Sequence, residues 1–530
     1  MAIKVLVSDA IAAQGMEYLR TSPGIEVTDG SQWSREELLS RIAEYEGLIV
    51  RSSTRVDAEL IEAARNLRVV GRAGVGVDNV DLAAATRRGI VVINSPEGNT
   101  ISTAEHTLAM MMALARKIPQ AYVSLVREGK WERGRFMGTQ VFGKTLGVLG
   151  LGRIGSEVAQ RAIALGMKVL AYDPLVNEER AKRVGVTLAT VDEICKEADF
   201  ITVHTPLTRE TEGLIGEREF SLMKTGVYVI NCARGGIIDE KALYNAIRSG
   251  KVAGAALDVF VEEPPAGNPL LSLEQVIATP HLGASTHEAQ VSVAIDVVQS
   301  VVRALAGEPV KNAVNAPALR AAGADGLAPY LKLAERLGRF FTSVFGGNFE
   351  RLEVVYRGEA SRFDEEALTS ALLKGMLEHM LHGAVNYVNA PYLARERQMH
   401  IAVTKEGADK THPSSITLVG RSGERVRQVT GIVAEAKAPV ITDIDGYAVY
   451  VAAEGRMLIA YNIDRPGIIG RVGTLLGEHG INIAFMQVGR KEVGSYAVMV
   501  LGIDNPLGDE VLQRLRALSD LREVRLVEWP

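Results

Sequence analysis

The chain has 530 residues, too many for one ordinary domain and enough for three or four. An apolar share of 47% fits a protein with real cores, and a formal charge of −5 with a pI near 6.1 argues against a general binder of nucleic acid or membrane surfaces. Two cysteines far apart, Cys195 and Cys232, exclude a disulfide framework and fit a reducing compartment.

The first hundred residues alternate short apolar runs with helical patterns. Residues 4–7, 47–50 and 69–71 read as strands, and 35–45 and 57–64 as helices. Such alternation predicts a parallel sheet. The opening MAIKVLVSDA has no basic n-region and no cleavage pattern, and the longest apolar run, about 107–115, is too short to span a bilayer. The expected location is therefore the cytoplasm. Residues 102–117 read as an apolar helix opened by Ser102 or Thr103, with Glu105 close behind in a capping pattern.

Residues 145–149 form a buried-type strand that runs into VLGLGRIG, where Gly150, Gly152 and Gly155 have Gly-X-Gly-X-X-Gly spacing. A helix is expected over 156–165 and a strand over 168–172. This is the strand–turn–helix–strand context that a dinucleotide fingerprint requires. The glycines permit a tight turn, and the helix N-terminus offers N–H groups and a positive dipole end to a pyrophosphate. Asp173 follows 23 residues after Gly150. Its carboxylate would accept hydrogen bonds from both adenosine ribose hydroxyls and repel a 2′-phosphate, so the predicted cofactor is NAD, not NADP. Arg153 and Ile154 at the tip of the turn should line it. His204, Thr205 and Pro206 end the next strand at the same crevice. Strands at 200–203, 228–231, 254–257 and 276–278 would complete a doubly wound sheet.

Downstream, NCARGGIIDE carries Arg234, LDVFVEEPP carries Asp258 and Glu263, and TPHLGAST carries His281. Oxidising a secondary alcohol needs a proton acceptor and a group that holds the substrate so its C–H faces the nicotinamide. His281 is the candidate base, since imidazole cycles near physiological pH. A neighbouring carboxylate, Glu262 or Glu263, would fix its tautomer. Arg234 can grip a carboxylate through its planar fork. Cys232 lies beside these residues, but its motif offers no partner base for a nucleophile.

Pro309, Pro317 and the Ala/Gly-rich run 318–329 read as a linker. A helix over 330–345, a strand over 352–357, a helix over 376–388 and a strand pair over 424–437 and 446–451 are expected after it. His379 and His382 have no Cys or acidic partner nearby and imply no metal. The tail from 457 reads strand, DRPG turn, helix, Gly-Ile-Asn turn, strand, strand (495–502), helix (506–518) and strand (521–528), a βαββαβ order.

These segments resemble the D-isomer-specific 2-hydroxyacid dehydrogenases, densely from about residue 5 to 315, again from 457 to 501, and thinly between. Within that family the likeness is to long members that act on 3-phosphoglycerate. The resemblance implies an α/β fold in which a Rossmann-type doubly wound NAD domain, 99–286, is inserted into a flavodoxin-like substrate lobe, 1–98 and 287–315. An α+β intervening domain, 316–453, and a βαββαβ ACT domain, 456–530, would follow. By the family pattern the acid paired with His281 is Glu263, directly before the proline, and Asp258 reaches the nicotinamide carboxamide. Cys232, Ala233, Arg234, His281, Gly283 and Ala284 are expected to complete the cofactor site.

For the substrate, the resemblance implies Arg51, Ser52, Arg72, Val75 and Gly76, with Arg234 and His281, and Arg133 supplied by a neighbouring subunit. Val75 stands where some relatives have Thr. Asn462, Asp464 and Asn482 match positions that bind L-serine at a subunit interface. The implied activity is NAD-dependent oxidation of 3-phospho-D-glycerate to 3-phosphohydroxypyruvate, the first step of phosphorylated L-serine biosynthesis. The alternatives are a glyoxylate or hydroxypyruvate reductase, and a non-catalytic NAD-sensing protein like the co-repressors on this fold. A homo-oligomer is expected, a dimer through helix 102–117 or a tetramer through the C-terminal domains.

Overall fold

The computed structural model describes residues 2–321, 326–347, 349–381, 384–408 and 414–529. Four sheets organise it. The first is parallel, with β1 (Ile3–Val7), β2 (Ile25–Asp29), β3 (Gly47–Val50), β4 (Val69–Arg72) and β5 (Val91–Ile93) in the order β2-β1-β3-β4-β5. That is the flavodoxin-like order. Strands covered on both faces read as unbroken apolar runs, and β3, GLIV, is buried throughout. The edge strand β2, IEVTD, is half-exposed and gave no such signal.

The helix His287–Leu305 returns to this sheet. Thr286 caps it by accepting from the Ala289 N–H at 3.2 Å. Its Val297, Val301 and Leu305 share a core with Val5, Ile49 and Val69. Gly71 makes the approach possible, since a Cβ there would lie 2.5 Å from a Val301 methyl.

Between these halves lies the second parallel sheet: β6 (Thr145–Leu149), β7 (Lys168–Tyr172), β8 (Thr187–Leu188), β9 (Phe200–Val203), β10 (Val227–Asn231), β11 (Val252–Leu257) and β12 (Val276–Ala278). Its order, β12-β11-β10-β9-β6-β7-β8, reverses direction between β6 and β9. In an open α/β sheet the ligand crevice lies at that switch point. The doubly wound expectation is met.

The long helix of this part spans Thr100–Ala115 rather than 102–117. Ser102 and Thr103 do not cap it. Their hydroxyls donate instead to the Gly283 carbonyl, at 2.8 and 3.1 Å, and tie the helix to the loop after β12. The helix after the glycine turn, Arg153–Ala164, starts three residues earlier than expected, directly after Gly152.

The third sheet is mixed: β13 (Arg351–Arg357), β14 (Ile401–Glu406), β15 (Ser415–Ser422), β16 (Arg425–Val433), β17 (Pro439–Ile444) and β18 (Tyr447–Ala452), ordered β14-β13-β15-β16-β17-β18. The expected pairing of 424–437 with 446–451 is corrected: β17 lies between them, paired with both. Pro439 opens β17, a position where its missing N–H is tolerated, and this disguised the strand. The expected helix 376–388 is replaced by Glu365–Met380 and, after Asn389, Ala390–Glu396. Part of the expected linker is a helix, Pro317–Ala321, with Ala318 buried. Residues 327–329 of that linker open the helix Leu327–Phe345, while 322–325, residues 382–383 of the expected helix, and with them His382, lie outside the described residues.

The fourth sheet is antiparallel, β20-β21-β19-β22, from β19 (Arg456–Ile463), β20 (Ile483–Arg490), β21 (Tyr496–Ile503) and β22 (Leu521–Glu528). With helices Ile468–Glu478 and Asp509–Arg516 it gives the expected βαββαβ order. One face, through Leu458, Ala460, Met499 and Leu501, packs on those helices. The other, through Met457, Ile459, Tyr461, Val498 and Val500, joins a single core with Leu337, Phe340 and Phe341 of the helix Leu327–Phe345. Among the described residues, no helix is long and apolar enough to cross a membrane.

Candidate active site

The glycine turn is dictated by its surroundings. Gly150 has φ 96°, and a Cβ there would sit 2.7 Å from the His204 carbonyl carbon. A Cβ on Gly155 would meet the Gly150 carbonyl oxygen at 2.0 Å, so only glycine lets the helix close on the strand. A Cβ on Gly152 would meet nothing within 4 Å, which leaves open space at the helix N-terminus. Gly152 is also the N-cap and has no side chain to take up the free N–H groups there. Arg153 and Ile154 form the first turn beside it.

Asp173 follows β7. One of its oxygens accepts from the Leu151 N–H at 2.8 Å, and the other from the Leu175 N–H at 2.9 Å. A carboxylate has about four acceptor sites, so each oxygen keeps one for a ribose hydroxyl. Along the facing wall, His204 Nε2 meets Thr202 Oγ1 at 3.0 Å, while its Nδ1 and the Thr205 hydroxyl are buried without a partner. Burial pushes the His204 pKa down to about 4, so the ring is neutral at physiological pH. Pro206 follows at the strand end. An open helix terminus, spare carboxylate acceptors and orphaned polar atoms on one crevice fit an adenine dinucleotide.

The candidate catalytic residues arrive on three loops at the C-terminal edge of the same sheet. After β10, the Asn231 side chain accepts from the Ala233 N–H at 3.0 Å and donates to the Arg234 carbonyl at 2.8 Å. This pins the turn that carries Cys232, Ala233 and Arg234. Burial, and then the charge of Asp258, pushes the Cys232 thiol up to about 12, so it stays protonated. Arg234 Nη1 donates to the Ala233 carbonyl at 2.7 Å, and its Nε lies 3.3 Å from an Asp78 oxygen.

His281 Nδ1 lies 2.8 Å from Glu263 Oε2. The second Glu263 oxygen accepts from the Phe260 N–H at 3.2 Å, which aims the carboxylate. Glu262 instead borders a separate cavity beside Glu240. With Nδ1–H donating to Glu263, Nε2 is left as the proton acceptor. His281 has φ 55°, a left-handed conformation that side chains enter at a cost and that recurs at functional sites.

Asp258 holds that conformation. Its carbonyl accepts from the His281 N–H at 2.9 Å. Its buried carboxylate accepts from the Thr279 hydroxyl at 2.6 Å, the Leu282 N–H at 2.7 Å and the Gly283 N–H at 2.9 Å, and lies 3.2 Å from His106 Nε2. Burial alone would raise its pKa, but these bonds outweigh burial and lower it. The residue expected at the carboxamide thus also shapes the 279–283 loop, and one acceptor site on Oδ2 remains. His106 and Thr279 carried no signal in the sequence, because their partner is far away along the chain.

Between the two lobes is a cavity of about 280 Å³. Arg51, Ser52, Arg72, Val75, Gly76, Arg234, Glu263, His281 and Ala284 line it. Asp9 accepts from the Arg51 N–H at 2.6 Å and so fixes that loop. The Arg72 guanidinium is largely buried, with Nε unpartnered. Burial, then the like charge of Arg234, holds its pKa below the usual arginine value. It occupies space that a side chain at position 74 would fill: a Cβ on Gly74 would lie 1.3 Å from Arg72 Nη1. Asn94 donates to the Val75 carbonyl at 2.6 Å. Asn99, Ser285, Gln290 and Asp78 also line the cavity and were missed. Gln290 had one available signal, as a polar position one turn into an otherwise Ala/Val-rich helix.

Arg133 does not join this cavity within one chain. It is exposed, on the short 3₁₀ turn Arg133–Phe136. The effector candidates also separate. Asn462 lies next to the end of β19, 3% exposed, with Oδ1 buried and unpartnered. Asp464 follows it, accepting from Gly494 N–H and pairing with Arg490, both at 3.3 Å. Asn482 precedes β20, beside the far end of β21, and donates to Asp504 at 2.6 Å. Within one chain it lies at the opposite end of the sheet from Asn462.

Residues 108–283 match the family described as D-isomer specific 2-hydroxyacid dehydrogenase, NAD binding domain; 326–445 match the D-3-phosphoglycerate dehydrogenase intervening domain, and 456–520 the ACT domain. The chain is 44% identical over 526 residues to a D-3-phosphoglycerate dehydrogenase of Methanocaldococcus jannaschii, covering 99% of each. It is 46% identical over 529 residues to that of Archaeoglobus fulgidus, covering 99% of this chain and 100% of the relative. Among solved structures it resembles the TT0316 protein from Thermus thermophilus, with TM-score 0.54 and 36% identity, over 59% of this chain and 100% of that one. It also resembles D-lactate dehydrogenase from Aquifex aeolicus complexed with NAD and lactic acid, with TM-score 0.51 and 31% identity, over 57% of this chain and 96% of that one.

Proposed function

The chain belongs to the D-isomer-specific 2-hydroxyacid dehydrogenase family, and on that footing we propose that it oxidises 3-phospho-D-glycerate to 3-phosphohydroxypyruvate with NAD, the first step of phosphorylated L-serine biosynthesis. One observation carries the reading. Three arginines, Arg51, Arg72 and Arg234, converge with the His281–Glu263 pair on a single cavity. A substrate with a carboxylate at one end and a phosphate at the other calls for this much positive charge.

Gly150, Gly152, Gly155, Asp173 and the 204–206 and 283–284 segments would hold NAD, which supplies the acceptor for the hydride lost from C2 of the substrate. Arg234 grips the carboxylate and polarises the forming carbonyl. His281 takes the hydroxyl proton on Nε2. Glu263, on Nδ1, keeps the ring in that tautomer and stabilises the imidazolium. Arg51, Ser52 and Arg72 receive the phosphate, and the backbone of Val75 and Gly76 lies close to the carboxylate that Arg234 holds.

On this reading the chain divides into 1–98 with 287–315 as the substrate lobe, 99–286 as the NAD domain, 316–453 as the intervening domain and 456–530 as the ACT domain. The protein is also a homo-oligomer on this reading. The segment after helix Thr100–Ala115 exposes Ile118, Tyr122, Leu125, Val126 and Trp131, an apolar arm suited to a second copy. Arg133 on that arm would then enter the partner's cavity. L-serine would bind between two ACT domains, with Asn462 and Asp464 from one and Asn482 from the other. The unpartnered Asn462 Oδ1 supports a polar ligand there. The cytoplasm is the matching location, since both cysteines are free.

The test is NADH formation with 3-phosphoglycerate, with and without L-serine, against D-glycerate and D-lactate. Turnover confined to the phosphorylated acid supports the arginine pocket. Turnover on unphosphorylated acids alone moves the protein to the reductase branch, and no turnover at all favours an NAD-sensing binding protein.

A further inference from the structure

Arg234 already has a carboxylate. Asp78, in the loop after β4, reaches across the cleft from the substrate lobe to Arg234, on the loop after β10. Its oxygen lies 3.3 Å from Arg234 Nε, and its side chain is 75% exposed at the mouth of the cavity. Gly76 makes the meeting possible. A Cβ on Gly76 would lie 2.1 Å from Arg234 Nη2 and 2.5 Å from Asp78 Oδ2, so both groups rest against bare backbone.

The surrounding charges explain why an acid sits here. Arg72 and Arg234 repel one another across the cavity, and the charge of Asp78 acts favourably on Arg72 as well. Glu263, the other acid lining the cavity, is committed to His281. Asp9 also acts favourably on Arg72 but is held by the Arg51 and Thr54 N–H groups, so Asp78 is the exposed carboxylate that relieves the mouth of the cationic pocket when no anion fills it. An arriving substrate carboxylate needs the same guanidinium.

We propose that Asp78 is a built-in competitor for the substrate carboxylate: it occupies Arg234 in the empty pocket and sets how tightly an anionic substrate must bind to displace it. This rests on the assignment of Arg234 to the substrate carboxylate. The pair also spans the two lobes, so its exchange for substrate couples binding to the fit between them.

The experiment compares the full-length wild type with Asp78→Asn and Arg234→Ala. Steady-state kinetics use 3-phosphoglycerate and NAD at low and high salt, and calorimetry follows the binding of oxalate, a bare dicarboxylate. Asp78→Asn keeps the shape of an exposed side chain, so folding is not at stake. An exposed ion pair of this kind corresponds to about two- to fivefold in affinity. The KM for 3-phosphoglycerate should fall by that factor, oxalate should bind tighter by the same factor, and high salt should shrink both differences.

An unchanged or higher KM in Asp78→Asn, with Arg234→Ala impaired as expected, overturns the proposal and leaves the active-site reading intact. A fall in kcat at unchanged KM also overturns it, because Asp78 would then orient Arg234 in the transition state. Normal turnover by Arg234→Ala removes the premise and the proposal with it. If 3-phosphoglycerate proves not to be a substrate, oxalate binding decides the role of Asp78 alone.

Discussion

Asp258→Asn separates a cofactor contact from a scaffold. In the wild type one carboxylate oxygen accepts from Thr279 and the Leu282 N–H with His106 at 3.2 Å, and the other accepts from the Gly283 N–H. The amide has one acceptor instead of two. Its cheaper orientation turns the NH₂ toward Gly283 and leaves that buried N–H facing a donor. A buried donor without a partner costs about 1–3 kcal/mol, and the surviving bonds lose their charge assistance. Removing a buried charge offsets part of this, for a net loss on the order of 2–4 kcal/mol. The transition of the nucleotide domain should drop by roughly 5–15 °C, which scanning calorimetry without cofactor can read. Because the same loop carries His281, displacement by about 1 Å should lower kcat on the order of 100-fold. If Asp258 served only the carboxamide, the KM for NAD would rise while melting without cofactor stayed at the wild-type value. That combination would refute the scaffold role.

Replacing His281 by Ala should abolish turnover yet retain NAD binding, and near-normal turnover would refute its role as base. Asp173→Ala should narrow the preference for NAD over NADP, read as the ratio of kcat/KM values; an unchanged ratio means another group reads the ribose. His204 supplies a pH test. Its folded pKa of about 4 lies below the usual 6.5, so the unfolded chain binds a proton the folded one refuses. Stability from this source is complete above pH about 6.5 and falls as the pH drops toward 4, by on the order of 3 kcal/mol. His204→Gln should flatten that part of the stability–pH curve, and an unchanged curve would place the titrating group elsewhere.

The parts of the site that could be read from sequence are those where physics allows one residue type. Gly150 and Gly155 are legible because a Cβ collides with backbone. Arg234, Glu263 and His281 are legible because the chemistry needs a fork, an orienting acid and a base. What escaped depends on contacts between distant segments. Ser102 and Thr103 look like caps by local pattern, but the Gly283 carbonyl, far along the chain, claims their hydroxyls. Asp78 sits in a run read only for Arg72, Val75 and Gly76. Central parallel strands of the first two sheets, such as β1, β3, β6 and β9, were legible as apolar runs because both their faces are covered, whereas the edges β2 and β8 and the three-residue β5 were not. In the third sheet, β17 combines a leading proline with a half-polar face, so neither periodicity nor composition marked it.

The core shared by the ACT sheet and the helix Leu327–Phe345 dictates where this chain can be cut. Ending it near 455 would strip Trp529, which stacks on Phe340, and leave that face of the helix in water. Transplanting 456–530 by itself would expose Met457, Ile459 and Val500 in the same way. The two C-terminal units are therefore best exchanged together, from the segment before Pro317, and the seam such a chimera must remake is where Asn386 and Val388 meet the first lobe.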